Sequence, residues 1–321
     1  TLFRSTYELK EETLDFTMGV PGVSVDREAL VQEIMTRTAE GNYDPISSPL
    51  VTMDPEPVDL EAIREEIFAE PCEATIEVAS DNSYTIVESV EGIDFDVAQA
   101  QQILDKAAAG AVASVPLNRT VPQNDTETFK ALLFRDKLGQ YTTDVGGTAA
   151  RRSNVKLAAQ KVDGTILMPG EVFSYNDTVG QRTEAAGFQE APAYNNGETV
   201  QELGGGVCQG SSTLYCACLY ANLEIVKRVN HTYVSSYVPL GMDATVSWGG
   251  PDYQFRNNTD YPIRIDASYS GDRVTFKIVG TKTSEFDVKI TSETLEVLNP
   301  EPKTVNDPTQ PVGYTKTEGL N

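Results

Sequence analysis

Cys208 stands where three glycines meet a long apolar run, in Gly204-Gly205-Gly206-Val207-Cys208-Gln209-Gly210-Ser211-Ser212. From Thr213 to Val226 there is no proline or glycine. The pattern predicts a tight loop entering the first turn of a buried helix, with Ser211 or Ser212 as its cap. A thiol at that position feels the positive end of the helix dipole and unpaired backbone N–H groups, and both favour the nucleophilic thiolate. Glycines allow close backbone approach to a substrate, and the same N–H groups can hold a developing oxyanion. The competing reading is a Gly-rich turn before a core helix, with a small buried cysteine.

A cysteine nucleophile needs a base, and the chain offers one histidine, His231, in Arg228-Val229-Asn230-His231-Thr232-Tyr233. The histidine falls beyond the C-terminal end of the expected helix, where it could equally balance the helix dipole. A helix of about 16 residues separates its ends by ~24 Å, so His231 reaches Cys208 only if the chain folds back along the helix. A strand over Tyr233–Pro239 would allow this.

The elements that must position these residues belong to a chain of 321 residues with 25 Lys plus Arg, 48 Asp plus Glu and a net charge of −23. The length allows two or three domains and ample core. The acidic balance, with no basic patch, argues against a nucleic-acid partner and fits an extracytoplasmic protein. No apolar run reaches the ~18 residues of a membrane span. The start at Thr1 rather than Met reads as an excised fragment whose signal or anchor segment has been removed.

Of the four cysteines, Cys208 and Cys216 would lie about 12 Å apart on one helix, too far to bridge, and Cys216 and Cys218 point to different sides of it. Cys216 and Cys218 are expected as core fillers, and Cys72 has no assigned partner. With a single histidine and a Cys-x-Cys spacing, neither a metal site nor a cofactor is expected. A phosphate-binding Gly-x-x-x-x-Gly-Lys loop and a Gly-x-Ser-x-Gly elbow are absent. Ser153-Asn154-Val155-Lys156 matches Ser-x-x-Lys without its usual companion motifs.

Residues 1–140 read as a duplicated α+β module, with repeats of about 1–72 and 73–140. Gly22-Val23-Ser24-Val25-Asp26 aligns with Gly92-Ile93-Asp94-Phe95-Asp96. Each is followed by a helix: Arg27–Glu40, with Leu30, Ile34 and Ala39 on one side, and Val97–Ala109, with Ala100, Ile103, Leu104 and Ala107 as its stripe. Strands containing Pro49-Leu50 and Pro116-Leu117 come next, then helices over Leu60–Phe68 and Glu127–Leu133. Such a pair of units suits a binding lobe or a spacer.

From Tyr141 the texture changes. A helix is expected over Ala149–Val162, and a hairpin over Glu190–Tyr194 and Glu198–Leu203 around Asn195-Asn196-Gly197. Beyond His231 the chain is β-rich: Tyr233–Val238 alternates, a strand follows near Val246, and Gln254–Arg256, Ile263–Ser268 and Arg273–Val279 read as a meander. Residues 281–321 hold a strand or two and a Pro-rich linker. The class is α+β: a two-lobed N-terminal region, then a mixed domain over 141–280 with a central buried helix and antiparallel strands.

Three blocks together resemble the VanW family of Gram-positive bacteria. They are Arg152–Ala159 with Leu167–Ser174, Gly204–Tyr215, and His231-Thr232 with Ser236–Val246 and Phe255–Ile263. Residues 1–140 resemble a peptidoglycan-binding module often found before such domains. The resemblance implies a cell-wall protein on the outer side of a Gram-positive membrane, linked by its family name to glycopeptide resistance. Some members look like L,D-transpeptidases, although the Ser-His-Gly-Cys signature of that activity is absent. The resemblance implies Cys208 as the nucleophile and, by position, His231 as the base; Asp243 is assigned beside them as the residue that orients the ring. Gly205, Gly206, Gln209 and Ser211 are placed at the oxyanion and substrate site, with Arg182, Asn154 and Tyr237 as further substrate contacts. The expected ligand is a peptidoglycan stem peptide. A hydrolase on the same stems and a non-catalytic wall binder stay open beside the transpeptidase.

Overall fold

The computed structural model describes residues 4–195, 198–232, 234–285, 287–296 and 308–315. The class is α+β as expected, with short antiparallel sheets and, among the described residues, seven helices. The chain divides into two compact units, one built from residues up to 77 together with 86–129, the other from 78–85 together with 130 onward.

The N-terminal elements run β1 (Thr6–Leu9), β2 (Thr13–Thr17), β3 (Gly22–Val25), α1 (Arg27–Glu40), β4 (Leu50–Met53), α2 (Leu60–Ile67), β5 (Thr75–Val78), β6 (Tyr84–Val87), β7 (Gly92–Asp94), α3 (Val97–Leu104), β8 (Val112–Pro116), β9 (Asn118–Thr120) and α4 (Thr126–Leu132). An aspartate starts each of the first three helices: Asp26, Asp59 and Asp96 accept from the N–H groups of Ala29, Ala62 and Gln99. Strand β3 pairs with β4 and β7 with β9, each antiparallel across one capped helix. The two helices differ in burial. Ala100 and Leu104 of α3 join Leu14, Phe16, Leu60 and Phe95 in a core. No residue of α1 is buried, and Ile34 on its expected core side is exposed. The second helix also stops at Leu104, short of the expected Ala109, because the chain turns there on bonds from Lys106 and Ala107 to the Ile103 and Leu104 carbonyls.

The second unit is built from β10 (Asp136–Asp144), α5 (Ala149–Val162), β11 (Ile166–Leu167), β12 (Val172–Ser174), α6 (Tyr175–Val179), β13 (Glu190–Asn195), β14 (Glu198–Leu203), α7 (Val207–Tyr220), β15 (Glu224–Lys227), β16 (Gln254–Arg256), β17 (Ile263–Ser270) and β18 (Arg273–Gly280). A four-stranded antiparallel sheet, β10-β18-β17-β11, and a three-stranded one, β12-β16-β15, share one core with α5 and α7. Helix α7 is buried on almost every side, which is why its sequence shows no amphipathic stripe. Strand β16 leaves the expected meander: it pairs with β12 and β15, and the Phe255 ring lies tilted against those of Phe173 and Tyr253 there.

Three further expectations change. Helix α7 begins at Val207, with Gly206 as its cap, so Ser211 and Ser212 lie inside it. It ends at Tyr220, and Glu224–Lys227 is a strand. The return toward the start of α7 is made by β15 and then by irregular chain through residues 228–246, without a strand among its described residues. Tyr233 and the hairpin tip Asn196-Gly197 lie outside the described residues, and the described part of 281–321 holds no strand.

Candidate active site

The loop before Cys208 is shaped by the protein's own atoms. Hairpin β13–β14 delivers the chain to Gly204 and Gly206, both at positive φ (83° and 101°). A Cβ at Gly204 would strike the Arg182 stem, one at Gly206 the Arg151 stem, and one at Gly205 the Ala191 carbonyl. Gly205 and Gly206 were expected to open space for substrate. That space is filled by Ala191 and Arg151, so the glycines serve close packing and the left-handed turn.

Asn154 holds this loop in place. From the buried face of α5 its Nδ2 donates to the Gln189 carbonyl at 2.8 Å and the Gly205 carbonyl at 3.1 Å, and its Oδ1 accepts from the Gln189 N–H at 2.9 Å. With its amide filled and the residue fully buried, Asn154 is a staple and not a substrate contact. Asn154→Ala takes the partner from the Gly205 carbonyl and the Gln189 N–H, while the Gln189 carbonyl keeps the Gly204 N–H, at about 1–3 kcal/mol for each buried group orphaned. A loss of roughly 3 kcal/mol and about 10 °C in Tm is expected, read by thermal denaturation.

Gln209 and Ser211 are corrected in the same way. The Gln209 amide is buried, accepts from Arg151 Nη2 at 2.7 Å, and donates to Thr143 Oγ1 and the Asp144 carbonyl. Its own N–H donates to the Gly206 carbonyl, and the Val207 N–H to that of Gly204. Ser211 Oγ donates to the Ala244 carbonyl at 2.7 Å and back to the Cys208 carbonyl. Ser212 Oγ accepts from the Ala244 N–H at 2.9 Å and donates to the Cys208 carbonyl at 2.8 Å. The two serines therefore clamp Ala244 onto the first turns of α7. Thr245 N–H adds a bond to the Val229 carbonyl at 2.8 Å. This strap brings the residues on either side of Ala244 to the mouth of the helix.

There the structure brings Cys208, His231 and Asp243 together. The half-buried Cys208 sulfur lies 3.3 Å from the Val246 carbonyl and 3.8 Å from Thr245 Oγ1. The His231 ring is near enough to the thiol for each to shift the other's protonation. His231 Nδ1 is 2.7 Å from Asp243 Oδ2, which also accepts the His231 backbone N–H at 2.6 Å. That fixes the ring and leaves Nε2 for the thiol. The side chains of His231 and Asp243 are only 16% and 11% exposed. Arg228, which sequence reasoning missed, holds Asp243 from behind: its guanidinium donates to Asp243 Oδ1 at 2.9 Å and to the Asp243 and Gly241 carbonyls. Its Cζ sits over the Tyr215 ring at 5.4 Å. No spacing rule marks an arginine three residues before a histidine; the contact exists only because the chain returns.

Burial pushes the Cys208 thiol up, but the hydrogen bond and charge of His231, with the Val246 backbone and Thr245 hydroxyl, outweigh it and hold the thiol below its ordinary range. Burial pushes His231 down, and its bonds to Cys208 and Asp243 more than reverse this. Asp243, disfavoured as an anion by burial, is held below the usual carboxylate range by the His231 N–H, the ring and Arg228. All three shifts favour the charged form of the group, the thiolate, the imidazolium and the carboxylate.

Arg182 lies on the other side of the glycine turn. Nη1 donates to the Gly180 carbonyl at 2.9 Å, whereas Nη2 is buried without a hydrogen-bond partner. Burial pushes this guanidinium down, and the charges of Tyr175, Cys208 and Asp252 act against that. Tyr237 OH is 3.5 Å from His231 Nε2, and its ring meets the imidazole edge to face. A cleft of about 330 Å³, bordered by Arg228, Asn230, Ser235 and Leu240, opens onto His231 and Asp243. Among the described residues no group of three His, Cys, Asp or Glu side chains could hold a metal ion, and no helix is long and apolar enough to cross a membrane.

Residues 150–279, which contain Cys208, His231, Asp243, Arg228, Arg182 and Tyr237, match the family model described as VanW like protein. The chain is similar to the uncharacterized protein YoaR of Bacillus subtilis (strain 168), at 44% identity over 158 residues, covering 49% of the chain and 52% of YoaR. It is also similar to the vancomycin B-type resistance protein VanW of Enterococcus faecalis (strain ATCC 700802 / V583), at 27% identity over 181 residues, covering 54% of the chain and 66% of that protein. The chain thus spans about half the length of YoaR. No solved structure matches it.

Proposed function

Since the chain belongs to the VanW family through its residues 150–279, we propose that this domain is a cysteine acyltransferase acting on peptidoglycan stem peptides, an L,D-transpeptidase that forms 3-3 crosslinks. The observation that carries the reading is the Cys208–His231–Asp243 series, in which the chain's single imidazole is held by a carboxylate at 2.7 Å and holds the nearby thiol below its ordinary range. The vancomycin-resistance role in the name of the E. faecalis relative supports a wall substrate. The site of action in this reading is the outer side of a Gram-positive membrane, and residues 1–140 are a wall-binding module.

The chemistry follows from the arrangement. The Cys208 thiolate attacks the carbonyl carbon of the bond between the third residue of a stem and the D-amino acid after it. A C–S bond forms, the C–N bond breaks, and the His231 Nε2 proton goes to the departing amine. The side-chain amine of a second stem then attacks the thioester. Its proton passes to Nε2, the thiolate leaves, and a new amide joins the stems. Arg182, with one buried N–H edge unsatisfied, suits the carboxylate of the bound stem, whose planar oxygens match a guanidinium.

The test is incubation of the purified protein with disaccharide tetrapeptides and mass spectrometry of the products. Dimers joined through two third-position residues are the expected result. Trimmed stems without dimers would reassign the site as a hydrolase, and unchanged substrate would favour a wall-binding role.

A further inference from the structure

An acyl-transfer site needs donors for the oxygen that becomes negative when sulfur attacks. At this helix mouth the backbone supplies few. The N–H groups of Val207 and Gln209 already donate to the Gly204 and Gly206 carbonyls, and the Gly205 N–H to that of Glu202. The Gln209 side-chain amide is committed to Thr143 and Asp144. Among the described residues of this turn, the Gly206 and Cys208 N–H groups make no bond to a carbonyl of the loop. A side chain beside the imidazole is placed to add a further donor.

We propose that the Tyr237 hydroxyl is that donor: a catalytic phenol that, with the Cys208 N–H, binds the carbonyl oxygen as it becomes an oxyanion. The hydroxyl stands 3.5 Å from His231 Nε2, the nitrogen that serves the thiol, and 3.5 Å from Ser235 Oγ. The ring packs against the Cys216, Val238 and Met242 cluster, which restrains it beside the imidazole it meets edge to face. Burial, with the Cys208 charge, pushes the phenol up to about 12, while Ser235 and Ser212 pull the other way. It is therefore a neutral O–H at any physiological pH, able to give a hydrogen bond and unable to act as a base. When sulfur attacks, the C–S bond forms and the carbonyl electron pair moves onto oxygen, where the phenol donates. When the intermediate collapses, that pair re-forms the carbonyl and expels the leaving group.

The inference deepens the proposed acyl transfer, and it can be tested apart from the identity of the stem substrate. Acylation of Cys208 by p-nitrophenyl acetate passes through an oxyanion, whereas alkylation by iodoacetamide displaces iodide and makes none. In Tyr237→Phe the acylation rate should fall roughly 10²-fold, while the alkylation rate and its pH profile stay within about twofold of the parent. Unimpaired acylation would overturn the proposal. A parallel fall in both rates, or a shifted alkylation profile, would also overturn it, because it would make Tyr237 a residue that sets the thiolate. The expected contrast without 3-3 dimers in the muropeptide assay would keep the donor and remove the stem-peptide reading.

Discussion

Cys208→Ala is expected to abolish acyl transfer to the limit of detection, with folding intact. The side chain lost is small and only half-buried, so the cost to stability is about 1 kcal/mol or less. The chemical loss is total, because the remaining thiols cannot substitute. Cys216 and Cys218 are fully buried. Burial pushes the Cys216 thiol up to about 12 and Cys218 further still. Cys72 is exposed but sits in the N-terminal unit, outside the site. The parent protein gives the matching positive result. A thiol held below its ordinary range keeps its thiolate as the pH falls, and an imidazole held above its own keeps its proton as the pH rises. The reactive pair is thus populated over a window widened on both sides. With iodoacetamide at about pH 6, where an ordinary thiol is almost wholly protonated, peptide mapping should find the label concentrated on Cys208. Equal labelling of Cys72 and Cys208 there would show an unactivated sulfur. Protection by a stem peptide would place substrate at the same point.

Much of this site was legible in the chain because its parts are local. A glycine run entering an apolar stretch marks a helix mouth, and a lone histidine narrows the choice of base to one. The fold class and helix α5, observed over the expected Ala149–Val162, follow from pattern in the same way. The errors lie where tertiary contacts override local signals. Ser211 and Ser212 read as caps, yet Gly206 starts the helix and both hydroxyls turn to the Ala244 strap. Glu224–Lys227 continued an apolar run and read as helix, yet it pairs with β16. Asn154 and Gln209 look like exposed polar groups in a motif, and the fold surrounds them with backbone partners. A polar residue in a signature block can be there to hold the loop, and only burial and hydrogen-bond partners separate that from substrate contact. Arg228 and the role of the strap had no local trace at all, since they arise from the chain returning over α7.

Asp243→Asn should cost roughly 10³- to 10⁴-fold in kcat while leaving the fold in place. The carboxylate does two things at once. Oδ2 takes the His231 backbone N–H at 2.6 Å and faces ring Nδ1 at 2.7 Å, so it fixes where the ring sits and which nitrogen bears the proton. An asparagine amide turned to donate would place its N–H against Nδ1 and drive the ring proton to Nε2, the face that must accept from the thiol. The negative charge that helps hold His231 above its ordinary range would also be gone. His231 would then lose its proton at lower pH, and the thiolate it supports would form only at higher pH. The alkylation profile of Cys208 should accordingly move toward the alkaline side, in step with the loss of turnover. Asp243→Glu, which keeps the charge, should recover part of the profile even where its longer stem misplaces the ring. A kcat loss with an unmoved alkylation profile would mean that Asp243 anchors the strap for Arg228 alone and has no electrostatic hold on the imidazole.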